Sequence, residues 1–142
     1  MTTEGGLDVV CDQGRIARAI QKLKDQNILV SLFIDPDIQQ VEAAGKLGVD
    51  AVELHTGPYA LATPATHQAE LARLTEAGAV TSGLGMRLHA GHGLNYANVR
   101  PVAAIPNMIE LNIGHSVVSR AVMVGMREAV AEMRRILDVC QP

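Results

Sequence analysis

The chain alternates. Four short runs, Ile28–Ile34 (ILVSLFI, nearly continuously apolar and β-branched), Asp50–Leu54 (DAVEL), Gly83–Ala90 (GLGMRLHA) and Met108–Asn112 (MIELN), are each followed by a stretch with helical spacing. Runs this short and this apolar fit strands covered on both faces, and strand–helix alternation builds a parallel sheet with right-handed crossovers. The fold class read from the pattern is therefore α/β.

The helical stretches carry their own punctuation. A first helix, preceding the strand–helix series, places Ile16, Ala19, Ile20 and Leu23 on one face, with Asn27 as its C-cap. Asp35-Pro36 reads as N-cap and first helical residue of the next, which turns Ile38, Val41 and Ala44 inward and stops at Gly48. A third is capped at Thr63-Pro64 or Thr66, buries Leu71 and Leu74, and stops at Gly78. A short helix across Tyr96–Ala104 and a single long one from about Ser116 to Asp138 complete the series. The polar, glycine-containing start, Met1–Asp12, reads as a loop, and no linker divides the chain.

Four such units are about half of a closed (β/α)8 barrel, which typically needs about 250 residues. The 142 residues read as a single half-barrel covering about the last four βα units, with an unpaired edge on each outer strand. Two glutamates strengthen this reading. VELHTG at Val52–Gly57 echoes IELNIGH at Ile109–His115, and each places a Glu inside an apolar strand. A buried charge is costly unless paired, so Glu53 and Glu110 are expected to face a polar interior or site.

Composition narrows the function. A net charge of −3, 2% aromatic residues and no basic cluster argue against a nucleic-acid surface. No apolar run approaches the length of a membrane span and no leader pattern opens the chain, so a soluble cytoplasmic protein is expected. Cys11 and Cys140 share no metal-like spacing and read as reduced thiols. No His or carboxylate cluster suggests a metal.

Candidate chemistry gathers at strand ends. His92, in Ala90-Gly91-His92-Gly93, could transfer protons to a ligand or merely cap the following helix. Gly93 and Gly114 end consecutive βα units, where barrels of this type hold phosphate, although each alone could be a turn glycine. His115 opens the last helix and could donate to a phosphate or stand in for an N-cap. Glu53 admits an acid–base or charge-stabilising role as well as a structural ion pair, whereas Glu110, deeper in its strand, favours the structural one. His89 is placed to line the interior, His67 reads as solvated, and His55 carries no distinct argument.

The segments TTEGGLDV, SLFIDPD, VELHTGPYA, AGHGLNYANV and AAIPNMIELNIGHSVVSRAVMVGM resemble the carboxyl-terminal part of pyridoxine 5′-phosphate synthase, and the resemblance spans essentially the whole sequence. It implies a (β/α)8 barrel that assembles as a homo-octamer, needs no cofactor, and joins two small phosphate substrates. These are 3-amino-2-oxopropyl phosphate and 1-deoxy-D-xylulose 5-phosphate, condensed to pyridoxine 5′-phosphate in vitamin B6 biosynthesis. By the same resemblance His92 is the proton donor, and Gly93, Gly114 and His115 hold the aminoketone phosphate. Glu53 stabilises the transition state and Thr2 contacts the deoxyxylulose phosphate. The family's first four strands, with the glutamate that serves as base, have no counterpart in these residues. Two rival readings remain: a non-catalytic half-barrel that binds phosphate or serves a structural role, and another phosphate-binding barrel enzyme, which the AGHGL and NIGH motifs disfavour.

Overall fold

A computed structural model of the chain describes residues 5–139. Its strands are β1 (Ser31–Ile34), β2 (Ala51–His55), β3 (Arg87–Gly91) and β4 (Met108–Asn112). Its helices are α1 (Gln13–Lys24), α2 (Ile38–Lys46), α3 (Gly57–Ala60), α4 (His67–Gly83), α5 (Val99–Ala103), α6 (His115–Val124) and α7 (Met126–Asp138). The strands form one parallel sheet in the order β1-β2-β3-β4. Each strand lies beside its predecessor, so crossovers of one hand stack the helices on a single face.

Strand alternation divides the side chains between the two faces. Leu32 and Ile34, Val52 and Leu54, and Leu88 and Ala90 turn towards the helices and join a core with Val41, Ala44, Leu74, Ala77, Val99 and Val102. The opposite face is polar. Register sets Phe33, Glu53, His89 and Glu110 side by side in one row, and His55, Gly91 and Asn112 in the next row towards the carboxyl ends. Both strand glutamates thus face away from the helices, as the cost of burying a charge requires.

Helix boundaries depart from expectation in several places: the C-cap of α1 is Asp25 rather than Asn27, and α5 begins at Val99 rather than Tyr96. The N-cap of α2 is Asp37, whose side chain accepts from the Gln39 and Gln40 amides, and not Asp35. Helix α4 runs through Gly78 to Gly83. A Cβ at Gly78 would lie 2.9 Å from Leu88 Cδ2 and 3.2 Å from Ile105 Cγ2, so this glycine lets helix and sheet approach closely and does not end the helix. The last helix is two. Gly125, at φ +84° and ψ 152°, occupies backbone open essentially to glycine alone and turns α6 back onto α7.

Residues 5–12 form a loop, as expected, and are tied down against β1 and α2. The Leu7 amide donates to the Phe33 carbonyl (2.8 Å) and the Val9 amide to Gln40 Oε1 (2.7 Å), with Val9 fully buried. Among the described residues no helix is long and apolar enough to cross a membrane. Ile109 on β4, Val118, Val122 and Met123 on α6, and Met126 and Val130 on α7 expose much of their apolar surface.

Candidate active site

At the carboxyl ends of β2, β3 and β4 lies an open cleft of about 630 Å³, and it gathers Glu53, His92, Gly93, Gly114 and His115 in its lining. Those are five of the six residues singled out from the sequence. The sixth, Thr2, lies outside the described residues, as does Cys140. Phe33 and Asn112 complete the wall around Glu53.

The floor is the polar row. Glu53 is half-buried between β1 and β3, and burial pushes its carboxyl above the usual range. Glu110 adds to that push, while His89, a hydrogen bond with Asn112 and His92 oppose it. His89 Nδ1 lies 3.7 Å from Glu110 Oε1, a pair that holds the structural reading of Glu110. Room for the Glu53 carboxylate comes from Gly91: a Cβ there would collide with Glu53 Oε1 and approach Asn112 Cβ and its carbonyl oxygen to 3.0 Å.

Above the floor the chain leaves β3 through an unusual turn. His92 has φ +83° and Gly93 φ +77°, consecutive residues in the left-handed region. A non-glycine residue held there carries strain that neighbours must over-determine, and Thr56 does so. Its hydroxyl meets the carbonyls of Gly91 (2.7 Å) and His92 (2.5 Å), and its amide donates to the Gly91 carbonyl (2.8 Å). Gly93 packs against α3, where a Cβ would come within 2.7 Å of Ala60 Cβ. The loop beyond is closed by Asn98 Nδ2 donating to the Gly93 carbonyl (3.2 Å) and Ser116 Oγ donating to the Leu94 carbonyl (2.8 Å). That second bond fixes the His92 loop to the first turn of α6.

The cleft therefore has an anion-favouring side. Helix α6 starts at His115 with Gly114 as N-cap, and the intrahelical bonds begin only at the Val118 amide. The amides of its first turn have no partner within the helix and stand with the dipole's positive end beside Gly93. The cleft can hold an anionic group on the α6 side, with an imidazole and a carboxyl of raised pKa within the same space.

Three groups around His92 escaped the sequence reading. His55 is buried, at 7% exposure, and its Nδ1 lies 2.8 Å from Asp35 Oδ1. Its ring meets the His92 ring edge-on, with centroids 5.0 Å apart. The signal for His55 was its position two residues after Glu53, which puts both on one strand face. Nothing local marks Asp35 or Thr56, whose partners lie 20 and 35 residues away in sequence. His67, expected to be solvated, is half-buried and packs on Tyr59 at 4.5 Å between ring centroids.

Comparison with known proteins gives this geometry a context. The model of the pyridoxal phosphate biosynthesis protein PdxJ family matches residues 1–139. A protein of Rhodopirellula baltica named pyridoxine 5′-phosphate synthase is 72% identical over 138 residues, covering 97% of this chain and 56% of the relative. A protein of the same name in Magnetococcus marinus is 53% identical, covering 96% and 57%. The chain thus spans a little over half the length of these relatives. Among solved structures, one titled as the Amycolatopsis orientalis BexX/CysO complex superposes with a TM-score of 0.56 at 18% identity, over 92% of this chain and 53% of that one, a likeness of fold. With a family model running through every strand, helix and cleft residue described, the chain belongs to the PdxJ family of pyridoxal phosphate biosynthesis proteins.

Proposed function

We propose that this chain forms the phosphate side and proton-donor side of a pyridoxine 5′-phosphate synthase, as the last four βα units of a (β/α)8 barrel. Its substrates on this reading are 3-amino-2-oxopropyl phosphate and 1-deoxy-D-xylulose 5-phosphate. The observation that carries the reading is the meeting of Glu53, His92, Gly93, Gly114 and His115 in one cleft at the strand carboxyl ends, the end at which such barrels act.

Each residue has a task that its surroundings suit. The amides opening α6, with Gly93 and Gly114, hold the aminoketone phosphate, and His115 adds a donor. Phosphate held there leaves the amino and carbonyl groups over Glu53 and His92. Imine formation, dehydration and ring closure are successive proton transfers, so they need a side chain that can give and take a proton within reach of the substrate, as an imidazole can. His92 fills that role. Glu53, with its pKa raised by burial, faces the cationic character that develops as carbonyl oxygens are protonated and expelled. The other phosphate substrate belongs near Thr2 on this reading.

The polar sheet face and the outer edge of β4 suit closure by further strands, and the exposed apolar residues of β4, α6 and α7 suit burial against other chains in a homo-oligomer. A cytoplasmic enzyme fits the absence of a membrane-spanning helix among the described residues.

The test is complementation. The chain is joined to the preceding part of the Rhodopirellula baltica relative, and pyridoxine 5′-phosphate is measured chromatographically from both substrates. The wild-type hybrid is expected to form product and His92→Asn to lose it. Product formation unchanged by His92→Asn removes His92 from the mechanism, and a folded hybrid that binds neither phosphate ester refutes the function.

A further inference from the structure

The buried imidazole of His55 has a partner on one nitrogen only. Nδ1 faces Asp35 Oδ1 at 2.8 Å, while Nε2 is buried without a hydrogen-bond partner among the described residues. A carboxylate only accepts, so Nδ1 carries the proton that is shared with Asp35. Gly57 clears the other end of the ring, for a Cβ at that position would collide with His55 Nε2. A buried polar atom without a partner costs free energy, and its persistence calls for a use of the ring that outweighs the cost.

That use is visible on the ring's faces and edges. His55 meets His92 edge-on at 5.0 Å and 68° between planes, and Phe33 at 5.1 Å and 66°. Phe33 in turn stands 6.5 Å from His92. The three rings form a closed cluster in which His92 is the exposed member and His55 the buried one. The His92 backbone is held by Thr56 through its carbonyl, but that bond leaves the imidazole free to rotate about χ1. Among the described residues, the ring contacts with His55 and Phe33 restrain the side chain from below, beside its charge interaction with Glu53.

We propose that His55, anchored by Asp35, is a positioning residue that holds the His92 imidazole in one rotamer over the cleft. Asp35 acts on His55, His55 acts on His92, and neither of the first two lines the cleft. A restrained general acid gains because proton transfer demands donor and acceptor within hydrogen-bond reach at the moment of reaction. The inference rests on the functional reading of His92 above.

The test reads the His92 side chain directly in the 142-residue chain. Three-bond couplings and ring cross-peaks in NMR spectra give its χ1 populations, and long-range ¹H–¹⁵N correlation gives the tautomer of His55. The wild type is expected to show one His92 rotamer and a His55 protonated on Nδ1. Asp35→Ala and His55→Leu are expected to lose the single rotamer while the amide spectrum of the sheet stays dispersed. Asp35→Asn keeps an acceptor oxygen for Nδ1–H and is expected to retain it. Because Asp35 is 52% exposed at its side chain, Asp35→Ala keeps the test open should His55→Leu fail to fold. In the complemented enzyme the two disrupting variants should lower kcat and leave KM for the phosphate substrates unchanged. A His92 already averaged in the wild type, a single rotamer that survives both disrupting variants, or loss of the rotamer in Asp35→Asn overturns the proposal. A wild-type chain that keeps one rotamer but shows no amide shifts at Gly93, Gly114 or His115 on adding glycerol phosphate refutes the functional reading alone.

Discussion

Gly91→Ala tests whether the floor of the cleft is as tight as it looks. The position has no positive φ, so alanine meets no backbone strain there and the whole effect is steric. The new methyl would run into Glu53 Oε1, the end of a flexible side chain that can swing aside. It would also press on Asn112 Cβ and the Asn112 carbonyl at 3.0 Å, which β3–β4 pairing holds in place. Overpacking of this kind costs about 1–3 kcal/mol. Against it stands a gain of about 0.4–1 kcal/mol from the stiffer unfolded chain. The balance is a loss of about 1–2 kcal/mol, which for a chain of this size lowers Tm by about 3–8 °C.

A double-mutant cycle separates the two contacts. Glu53→Ala removes the carboxylate but not Asn112, so Gly91→Ala should cost less in that background, with a favourable coupling of about 1 kcal/mol. Glu53→Gln keeps the volume and should show little coupling. Urea unfolding followed by circular dichroism gives all the corners of the cycle. Additivity of Gly91→Ala and Glu53→Ala to within about 0.5 kcal/mol would show that the glycine makes no room for Glu53. On the proposed function, the same variant in the complemented enzyme should lose activity, since Glu53 would be displaced from the place it is proposed to take over the substrate.

The remaining predictions concern charge and capping. The folded-state pKa of Glu53 is raised by burial, so the native state holds its proton more tightly than the unfolded chain. Stability from this group therefore falls as pH rises from about 4.3, the unfolded value, through the folded pKa, and Glu53→Gln removes that slope. The stability difference, variant minus wild type, should grow with pH across that window and be flat below it; a difference that shrinks as pH rises contradicts the burial argument. Asp37→Ala should destabilise the chain by about 1 kcal/mol and speed amide exchange at Gln39 and Gln40, because Asp37 caps α2. Exchange at those two amides should be unchanged in Asp35→Ala, and the reverse pattern would restore Asp35 as the cap.

Much of the fold is legible because parallel strands announce themselves. ILVSLFI and MIELN need no partner information to read as strands, and the parallel sheet expected from their alternation with helices is the one observed. Gly48, at φ +68°, ends α2 directly after its C-cap Leu47, as its chemistry suggests, whereas α1 is capped at Asp25 and Asn27, at φ +57°, turns the chain two residues later. Two of the misreadings, at Gly78 and Gly125, share one cause, which is that a glycine has several uses. Gly78 has the local look of a stop, yet its lack of a side chain serves Leu88 and Ile105 across the interface, and a packing need of that kind is invisible along the chain. Gly125 looks like a tolerated helix glycine among MVGMRE, and only its backbone angles reveal a corner.

The site divides in the same way, between groups placed by strand ends and groups placed by partners. Glu53, His92, Gly93, Gly114 and His115 all follow from where strands stop, so a reading of strand ends brings them to one cleft. Asp35 shows why the rest did not follow. In Asp35-Pro36-Asp37 either carboxylate satisfies the capping rule, and a proline after the first makes it the better candidate. What decides between them is 20 residues distant: His55 offers Nδ1 to Asp35, the Gly6 amide offers a second donor at 3.2 Å, and the helix then begins one residue beyond Asp37. With Asp35 engaged there, its service to α2 passes to Asp37, and the acid that looked like punctuation becomes the outer anchor of the ring cluster beside His92. Local rules rank such alternatives by propensity alone, and a single buried imidazole is enough to reverse the ranking.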